Sequence, residues 1–327
     1  MYAVRTLRLV LAALLCLVCA TGTQAATVTD LYDASVRSSD RSDASRQAAF
    51  SAALSIVATR VSGRRDAASK LGAAVGNAQR YVQRYGYNNG QLEVGFDSSG
   101  VNALLEQASL PIWGRERPTV LVVFPGALQG LREARAAVEQ TAKLRGVPIV
   151  WATNEISEQF NNPSAAQLQA LAERYTADGV LLARVSEPVT ASNLHWQFAF
   201  NASNGEIQEM QGAAEEGPHL AADVLGRYYA VVGKEATHVV MEVAGIEDLQ
   251  AYATTLNYLS NLSGVRVVNV ESLQHDVVRF RVELRGDVET MKRAIEFDQR
   301  LLPQASATAD AAATLAYRYN PQEASIK

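Results

Sequence analysis

The stretch from Gly245 to Val270 reads GIEDLQAYATTLNYLSNLSGVRVVNV, and it contains both kinds of periodicity that decide the fold of this chain. In its first part, apolar residues recur every three or four positions, a spacing that places them on one face of a helix. Gly264 ends this pattern, and the β-branched run that follows is typical of a strand. The stretch therefore predicts a helix followed directly by a strand. Packing accounts for its apolar residues, which are Ile246, Leu249, Tyr252 or Ala253, Leu256, Leu259 and Leu262.

The alternation of strand and helix continues on both sides of this stretch, over residues 236–327. The predicted order is β-α-β-β-α-β, which is that of a ferredoxin-like split βαβ domain. The final strand is the alternating run ATLAYRYN, which follows a loop of small residues. The other predicted elements are strands His238–Val243, Val265–Ser272 and Asp276–Arg285, and helices Glu247–Leu262 and Val288–Leu301.

Residues 119–235 predict a second unit in which buried strands alternate with amphipathic helices. Such alternation is typical of a partly parallel sheet covered by helices. A hairpin with Asn204 and Gly205 at its turn and a last helix follow. The predicted strands are Thr119–Phe124, Val147–Ala152 and Gly179–Val185, and the predicted helices are Leu128–Arg145, Ala165–Tyr175 and Leu220–Val232.

Residues 26–110 predict a first unit with the order β-α-α-β-β-α. Asn89 and Gly90 lie between two strand-like runs, a pair that favours the positive φ angles of a type I′ hairpin turn. The segment PIWGRERP, residues 111–118, has two prolines, a glycine and several charges, and predicts a linker. The sequence thus indicates an α+β protein of three small tandem α/β sandwich domains.

The N-terminus has the pattern of a secretory signal peptide. Arg5 and Arg8 precede an apolar run of about a dozen residues, which is shorter than the roughly 20 that span a bilayer. We predict a signal peptide over residues 1–25, cleavage after Ala25 and a periplasmic location. No later run approaches membrane length, so no transmembrane segment is predicted in the mature chain. Both cysteines, Cys16 and Cys19, lie in the predicted signal peptide.

The charge balance disfavours two classes of partner. The formal net charge is −4, and it becomes more negative when Arg5 and Arg8 are removed with the signal peptide. Nucleic-acid binding requires a basic surface, and so does docking on anionic lipid. We therefore predict no nucleic-acid partner.

Two resemblances follow from particular motifs. The first motif is ADGVLL, residues Ala177–Leu182, which is followed by a strand and then by Asn204-Gly205-Glu206. This pattern resembles the N-terminal domain of the TolB protein. The resemblance implies the same fold for the middle unit. Taken end to end, the chain resembles an uncharacterised exported proteobacterial family, domain-of-unknown-function family 2066. The motifs that carry this second resemblance are AAFSAALSIVATRVSG, YVQRYGY, LPIW followed by RP, and GIEDLQAYATTLNYLSNL. It implies an envelope protein of unassigned role and supplies no catalytic residue.

The sequence predicts no catalytic, cofactor-binding or metal-binding residue. The histidines His195, His219, His238 and His275 occur singly, without the paired spacing of metal sites. No nucleophile-elbow motif and no Ser-x-x-Lys motif with its usual partners occurs. A folded chain can still assemble a site from distant residues, so an enzyme is disfavoured rather than excluded.

Four residues are candidates for contact with a partner: Trp113, Arg115, Arg117 and His195. Tryptophan and arginine are enriched at binding hot spots, and a segment between domains often borders a cleft. The alternative for Trp113 is that it fills the seam between two domains. His195 alternates with Trp196 on a predicted strand, so the two side chains face opposite sides of the sheet.

These observations favour a non-catalytic binding protein, a scaffold or accessory factor in cell-envelope assembly. Its expected partner is an envelope protein or a cell-wall component. Two alternatives remain open at this point. One is a periplasmic hydrolase with a site in an inter-domain cleft, and the other is a small-molecule sensor that uses the ferredoxin-like domain.

Overall fold

The computed structural model describes residues 26–38, 40–124, 132–153, 163–185, 192–200, 206–233, 237–304 and 314–321. The predicted signal peptide and the predicted turn at Asn204 and Gly205 lie outside these ranges. The described part contains eight α-helices and four sheets, which confirms the α+β class. Within the described ranges, no helix has the length and apolar content that crossing a membrane requires.

The first unit packs a long helix against a three-stranded antiparallel sheet. The helix, α1 (Asp43–Ser62), begins at Ser42, whose side chain accepts a hydrogen bond from the backbone N–H of Ser45, and ends at Gly63 with φ of 67°. The sheet order is β2-β4-β3. The elements are β1 (Ala26–Thr27), β2 (Asp33–Arg37), α2 (Ala67–Leu71), β3 (Val82–Asn88), β4 (Gln91–Phe96) and α3 (Ser98–Gln107).

Two predictions for this unit have different outcomes. The turn between β3 and β4 has positive φ at both Asn89 (46°) and Gly90 (76°), as a type I′ hairpin requires. The second helix predicted for this unit is α-helical only over Ala67–Leu71. Gly72 adopts φ of 53°, which ends α2, and a 3-10 helix continues over Gly72–Tyr81.

The second unit has a five-stranded sheet with helices on both faces. Its order is β10-β9-β8-β6-β7, in which β7, β6 and β8 are parallel and β9 and β10 are antiparallel. Alternate residues of β6 enter different cores, with Val120 and Val122 on one face and Leu121 and Val123 on the other. The elements are β5 (Glu116–Arg117), β6 (Val120–Val123), α4 (Arg132–Arg145), β7 (Ile149–Trp151), α5 (Ala165–Arg174), β8 (Gly179–Val185), β9 (Leu194–Phe200), β10 (Ile207–Gly212) and α6 (Glu216–Tyr229).

The third unit has five strands where the predicted ferredoxin-like order has four. The sheet order is β12-β13-β11-β15-β14, and β15 runs parallel to β11. The short strand β14 was not predicted, because three residues carry no periodicity. Its Pro303 is tolerated because β14 lies at the sheet edge. The elements are β11 (Thr237–Ala244), α7 (Leu249–Asn261), β12 (Val265–Gln274), β13 (Val277–Leu284), α8 (Val288–Asp298), β14 (Leu301–Pro303) and β15 (Thr314–Tyr319).

The packing of α6 on Trp196 provides a test of the second core. A Cβ placed on Gly217 would lie 2.6 Å from the buried indole ring, whereas one placed on Gly226 of the same helix would meet no atom closer than 3.5 Å. We expect Gly217→Ala to lower the free energy of unfolding by about 1–3 kcal/mol through overpacking. Gly226→Ala is the matched control, and we expect it to be neutral or stabilising, because alanine is the better helix former.

Urea denaturation of both variants measures this difference. Equal stability of Gly217→Ala and Gly226→Ala would contradict the close packing of α6 against Trp196.

Candidate functional site

The segment Trp113–Arg117, called the seam segment below, lies between the three units. Its β5 residues pair with β1, so that Arg117 is opposite Ala26 and Glu116 is opposite Thr27. Just before it, Ile112 bridges to Val231, which follows α6. The predicted linker is therefore hydrogen-bonded to structure on both sides.

Arg117 is buried at the centre of this segment. Its side chain has no exposed surface, and among the described residues no acidic group contributes to its electrostatic environment. All five N–H groups of the guanidinium donate instead to backbone carbonyl oxygens, at 2.8–3.0 Å. The acceptors are Gly114 for Nε, Arg145 and Gly146 for Nη1, and Arg60 and Trp113 for Nη2.

Three of these carbonyl groups belong to the C-terminal ends of two helices, α1 and α4. The last carbonyls of a helix have no partner within the helix, and the helix dipole makes this end negative. Because both ends are buried here, they require donors from elsewhere in the chain. Arg117 supplies these donors, and the two helix ends in turn stabilise its positive charge. Burial lowers the pKa of Arg117 to about 9, so the side chain is still protonated at neutral pH.

Arg60 and Arg145 make reciprocal contacts at the same two helix ends. Arg60, in the last turn of α1, donates from Nε to the carbonyl oxygen of Leu144 in α4 at 3.4 Å. Arg145, the last residue of α4, donates from Nη2 to the carbonyl oxygen of Gly63 at 2.7 Å. Burial lowers the pKa of both arginines. Each helix end is therefore bound by the last-turn arginine of the other helix.

Arg145 also contacts α6. Its Nη2 is 2.6 Å from a carboxylate oxygen of Asp223, and its Nη1 is 2.8 Å from Nδ1 of His219. Burial lowers the pKa of His219 to about 4, and the charges of Arg65 and Arg145 add to this effect. At neutral pH the imidazole is therefore neutral, and its Nδ1 can accept the hydrogen bond from Arg145.

The third unit is attached to the seam segment through Gly114 and Glu116. The backbone N–H of Gly114 donates to Oγ of Ser263 at 2.8 Å. A Cβ on Gly114 would lie 2.6 Å from the carbonyl oxygen of Asn261, so a glycine is needed for this approach. Glu116 lies 3.6 Å from Nη2 of Arg300 in the third unit. One five-residue segment thus contacts all three units.

The structure places three of the four interaction candidates in the seam. Trp113 and Arg117 are fully buried and stack against each other, with the guanidinium carbon 4.0 Å from the ring centroid. The backbone N–H of Trp113 donates to Val61 at 2.7 Å. Neither side chain is exposed to a partner in this structure. A role for them in binding stays a prediction, whereas their role in joining the units is visible in their contacts.

The other two candidates retain exposed surface. Arg115 is half-buried and donates from Nη1 to the carbonyl oxygens of Val28 and Thr29, at 3.2 and 2.6 Å. The side chain of His195 is 34% exposed on β9, and its Nε2 lies 3.4 Å from Glu209 of the neighbouring strand β10. The structure therefore brings Arg115 to the seam, while His195 belongs to the middle sheet.

A cleft of about 900 Å³ lies between the first sheet and α4, and we call it the sheet–helix cleft. Arg60 lines this cleft and connects its two walls. Its Nη1 donates to the carbonyl oxygens of Asp30 and Asp33 in the first unit, at 2.7 and 2.8 Å. Its Nε donates to the carbonyl oxygen of Leu144 in α4. Its wider lining is mixed. Ile56, Tyr85 and Val94 contribute apolar groups, and the polar groups belong to Ser35, Arg84, Gln91, Glu93, Gln140 and Lys143.

Sequence reasoning missed Arg60 and Arg145. Each is a basic residue in the last turn of a helix that ends at a glycine, Gly63 or Gly146. That pattern is a recognised signal for a helix C-terminus, but the basic side chain in such a pattern normally lies at the protein surface.

Within the described part of the chain, no group of three or more His, Cys, Asp or Glu residues is placed to hold a metal ion.

The first unit is the part of the chain that matches a family model. Residues 25–114 match the model of a domain of unknown function, DUF8605. No curated protein matches. Among solved structures, the chain is similar to the allophanate hydrolase of Kluyveromyces lactis at 9% identity and a TM-score of 0.20, over 72% of this chain and 63% of that one. A likeness this weak carries no argument. The resemblances to family 2066 and to the TolB domain stay predictions.

Replacing Arg117 tests the seam. In Arg117→Met the side chain keeps its bulk but leaves five buried carbonyl groups without their donor, and each unsatisfied group costs about 1–3 kcal/mol before relaxation. We expect a net loss of about 2–4 kcal/mol in the free energy of unfolding. Arg37→Met is the matched control, because Arg37 is exposed on β2, and we expect its effect to stay within about 0.5 kcal/mol.

Chemical denaturation of the three proteins at pH 7 provides the measurement. If Arg117→Met were as stable as Arg37→Met, the five hydrogen bonds would not be stabilising the seam.

Proposed function

We propose that this protein is an exported, non-catalytic binding factor of the cell envelope, which holds a partner in the sheet–helix cleft. The observation that carries the proposal is the position of Arg60. Its guanidinium binds backbone groups of both walls, so the width of the cleft is fixed before any partner arrives. A preformed site loses less conformational entropy on binding than a site that must be assembled.

The lining of the cleft indicates the kind of partner. Arg84 and Asp33 form an ion pair at 2.7 Å, and Ser35 donates to the side-chain carbonyl of Gln91 at 2.5 Å. These groups already hold one another in place and still offer further donors and acceptors to a polar partner. Lys143 is exposed at the opposite wall. The open shape and the mixture of polar and apolar groups suit an extended segment of an envelope protein better than a small apolar ligand.

The N-terminal pattern supports export. Cleavage after Ala25 would leave Ala26 as the new N-terminus, and Ala26 is the first residue of β1, opposite Arg117. Removal of the signal peptide would therefore leave every described element intact. The process in which the protein takes part is proposed to be cell-envelope assembly, in keeping with the resemblance to an exported envelope family.

Site-specific photo-crosslinking in living cells tests the proposal. A benzoylphenylalanine at Gln140, which lines the cleft on α4, is compared with one at Gln169, which is also exposed and lies on α5. We expect a discrete crosslinked species in the periplasmic fraction with the probe at Gln140, because a bound partner would contact this wall. The probe at Gln169 should give none.

Equal crosslinking at both positions, or none at Gln140, would contradict binding in the cleft. Recovery of the chain with its signal peptide in the cytoplasm would contradict export, independently of the crosslinking result.

A further inference from the structure

A second, smaller cavity of about 190 Å³ lies on another side of the seam segment, between the first and third units. We call it the arginine pocket, because Arg115, Arg266 and Arg285 line it and no acidic residue does. Arg115 comes from the seam segment, whereas the other two belong to the third unit. The pocket therefore places three guanidinium groups from two parts of the chain around one small space.

The charges around the pocket are only partly compensated. Glu106 lies behind it and binds Arg285 at 2.7 Å and Arg266 at 3.1 Å, and Glu283 binds Arg266 at 3.1 Å. Arg115 forms no ion pair within the described residues. It is held instead by backbone carbonyl groups and by the ring of Tyr32, whose centroid is 5.3 Å from its guanidinium carbon. One positive charge that forms no ion pair within the described residues therefore lines the pocket, and the nearby carboxylate of Glu116 compensates it only through a longer-range interaction.

Neutral hydrogen-bonding groups complete the lining. Ser98 contributes a hydroxyl group from the first turn of α3, and Asn102 contributes a side-chain amide. The amide oxygen of Asn102 accepts a hydrogen bond from the hydroxyl of Tyr32 at 2.9 Å, so its NH2 group is the part left to donate. The nearby carboxylate of Asp97 is engaged by the N–H of Gly100 and the hydroxyl of Ser99, at 2.8 and 2.9 Å.

We propose that the arginine pocket binds a small oxyanion, a phosphate or carboxylate group of a soluble ligand. Guanidinium groups present paired N–H donors that match both kinds of anion, and such charge-assisted hydrogen bonds are stronger than neutral ones. The volume suits one such group rather than a large molecule. A bound anion would connect Arg115 with Arg266 and Arg285, and so would tie the third unit more firmly to the seam. This site is separate from the sheet–helix cleft and does not depend on the function proposed for that cleft.

The test uses the mature, full-length protein and two probes, inorganic phosphate and succinate, at constant ionic strength set with sodium chloride. Isothermal titration calorimetry measures binding, and the thermal midpoint measures the linked stabilisation. We expect at least one probe to bind with a Kd of about 1 mM or tighter. Tighter binding of phosphate identifies the site as phosphate-selective, and tighter binding of succinate identifies it as carboxylate-selective.

The main variant is Ser98→Glu. A carboxylate at this lining position should repel the anion and weaken binding by roughly tenfold or more. It should leave the fold intact, because an acidic residue in the first turn of a helix is favourable. Arg115→Gln should also weaken binding, and Arg174→Gln, at an exposed position of α5, is the matched control that should not.

Two results would overturn the proposal. One is the absence of binding of either probe to the unmodified protein. The other is binding that is equally strong in Ser98→Glu and in the Arg174→Gln control, which would indicate a general salt effect.

Discussion

The guanidinium of Arg117 lies buried among five carbonyl oxygens that come from three separate segments of the chain: the end of α1, the end of α4 and the seam segment itself. Two buried helix C-termini would otherwise face each other with unsatisfied carbonyl groups and like-signed dipole ends. A buried cation between them removes both difficulties at once. The approach of the first two units to each other therefore depends on one arginine that has no acidic partner among the described residues.

The remaining features of the seam follow from this arrangement. Arg60 and Arg145 each bind the helix end of the other, and Arg60 at the same time sets the width of the sheet–helix cleft. Gly114 and Glu116 attach the third unit to the same segment, and Arg115 brings its charge to the boundary with that unit. Both proposed binding sites are therefore preformed by contacts whose first role is structural. We expect these contacts to make the three units behave as one body rather than as domains on flexible linkers.

The sequence predicted local structure well and tertiary contacts poorly, for physical reasons. The Asn89–Gly90 turn was correctly predicted, because this pair of residues favours a backbone conformation that few other residues adopt. Trp113 and Arg117 were noticed for their residue types, yet the same types occur at exposed interfaces and in buried seams. The burial of Arg60 and Arg145 had no local signal, since Arg60 and Leu144 are 84 residues apart in sequence and meet only in the folded chain. The parallel placement of β15 beside β11 was missed for the same reason.

The most direct test of a shared seam is differential scanning calorimetry of the mature protein at neutral pH. If the seam couples all three units, they unfold together, in a single transition whose calorimetric and van't Hoff enthalpies agree. Two or three resolved transitions, or a van't Hoff enthalpy well below the calorimetric one after reversibility is established, would show that the units unfold independently. That result would contradict the central role assigned to Arg117 and the segment around it.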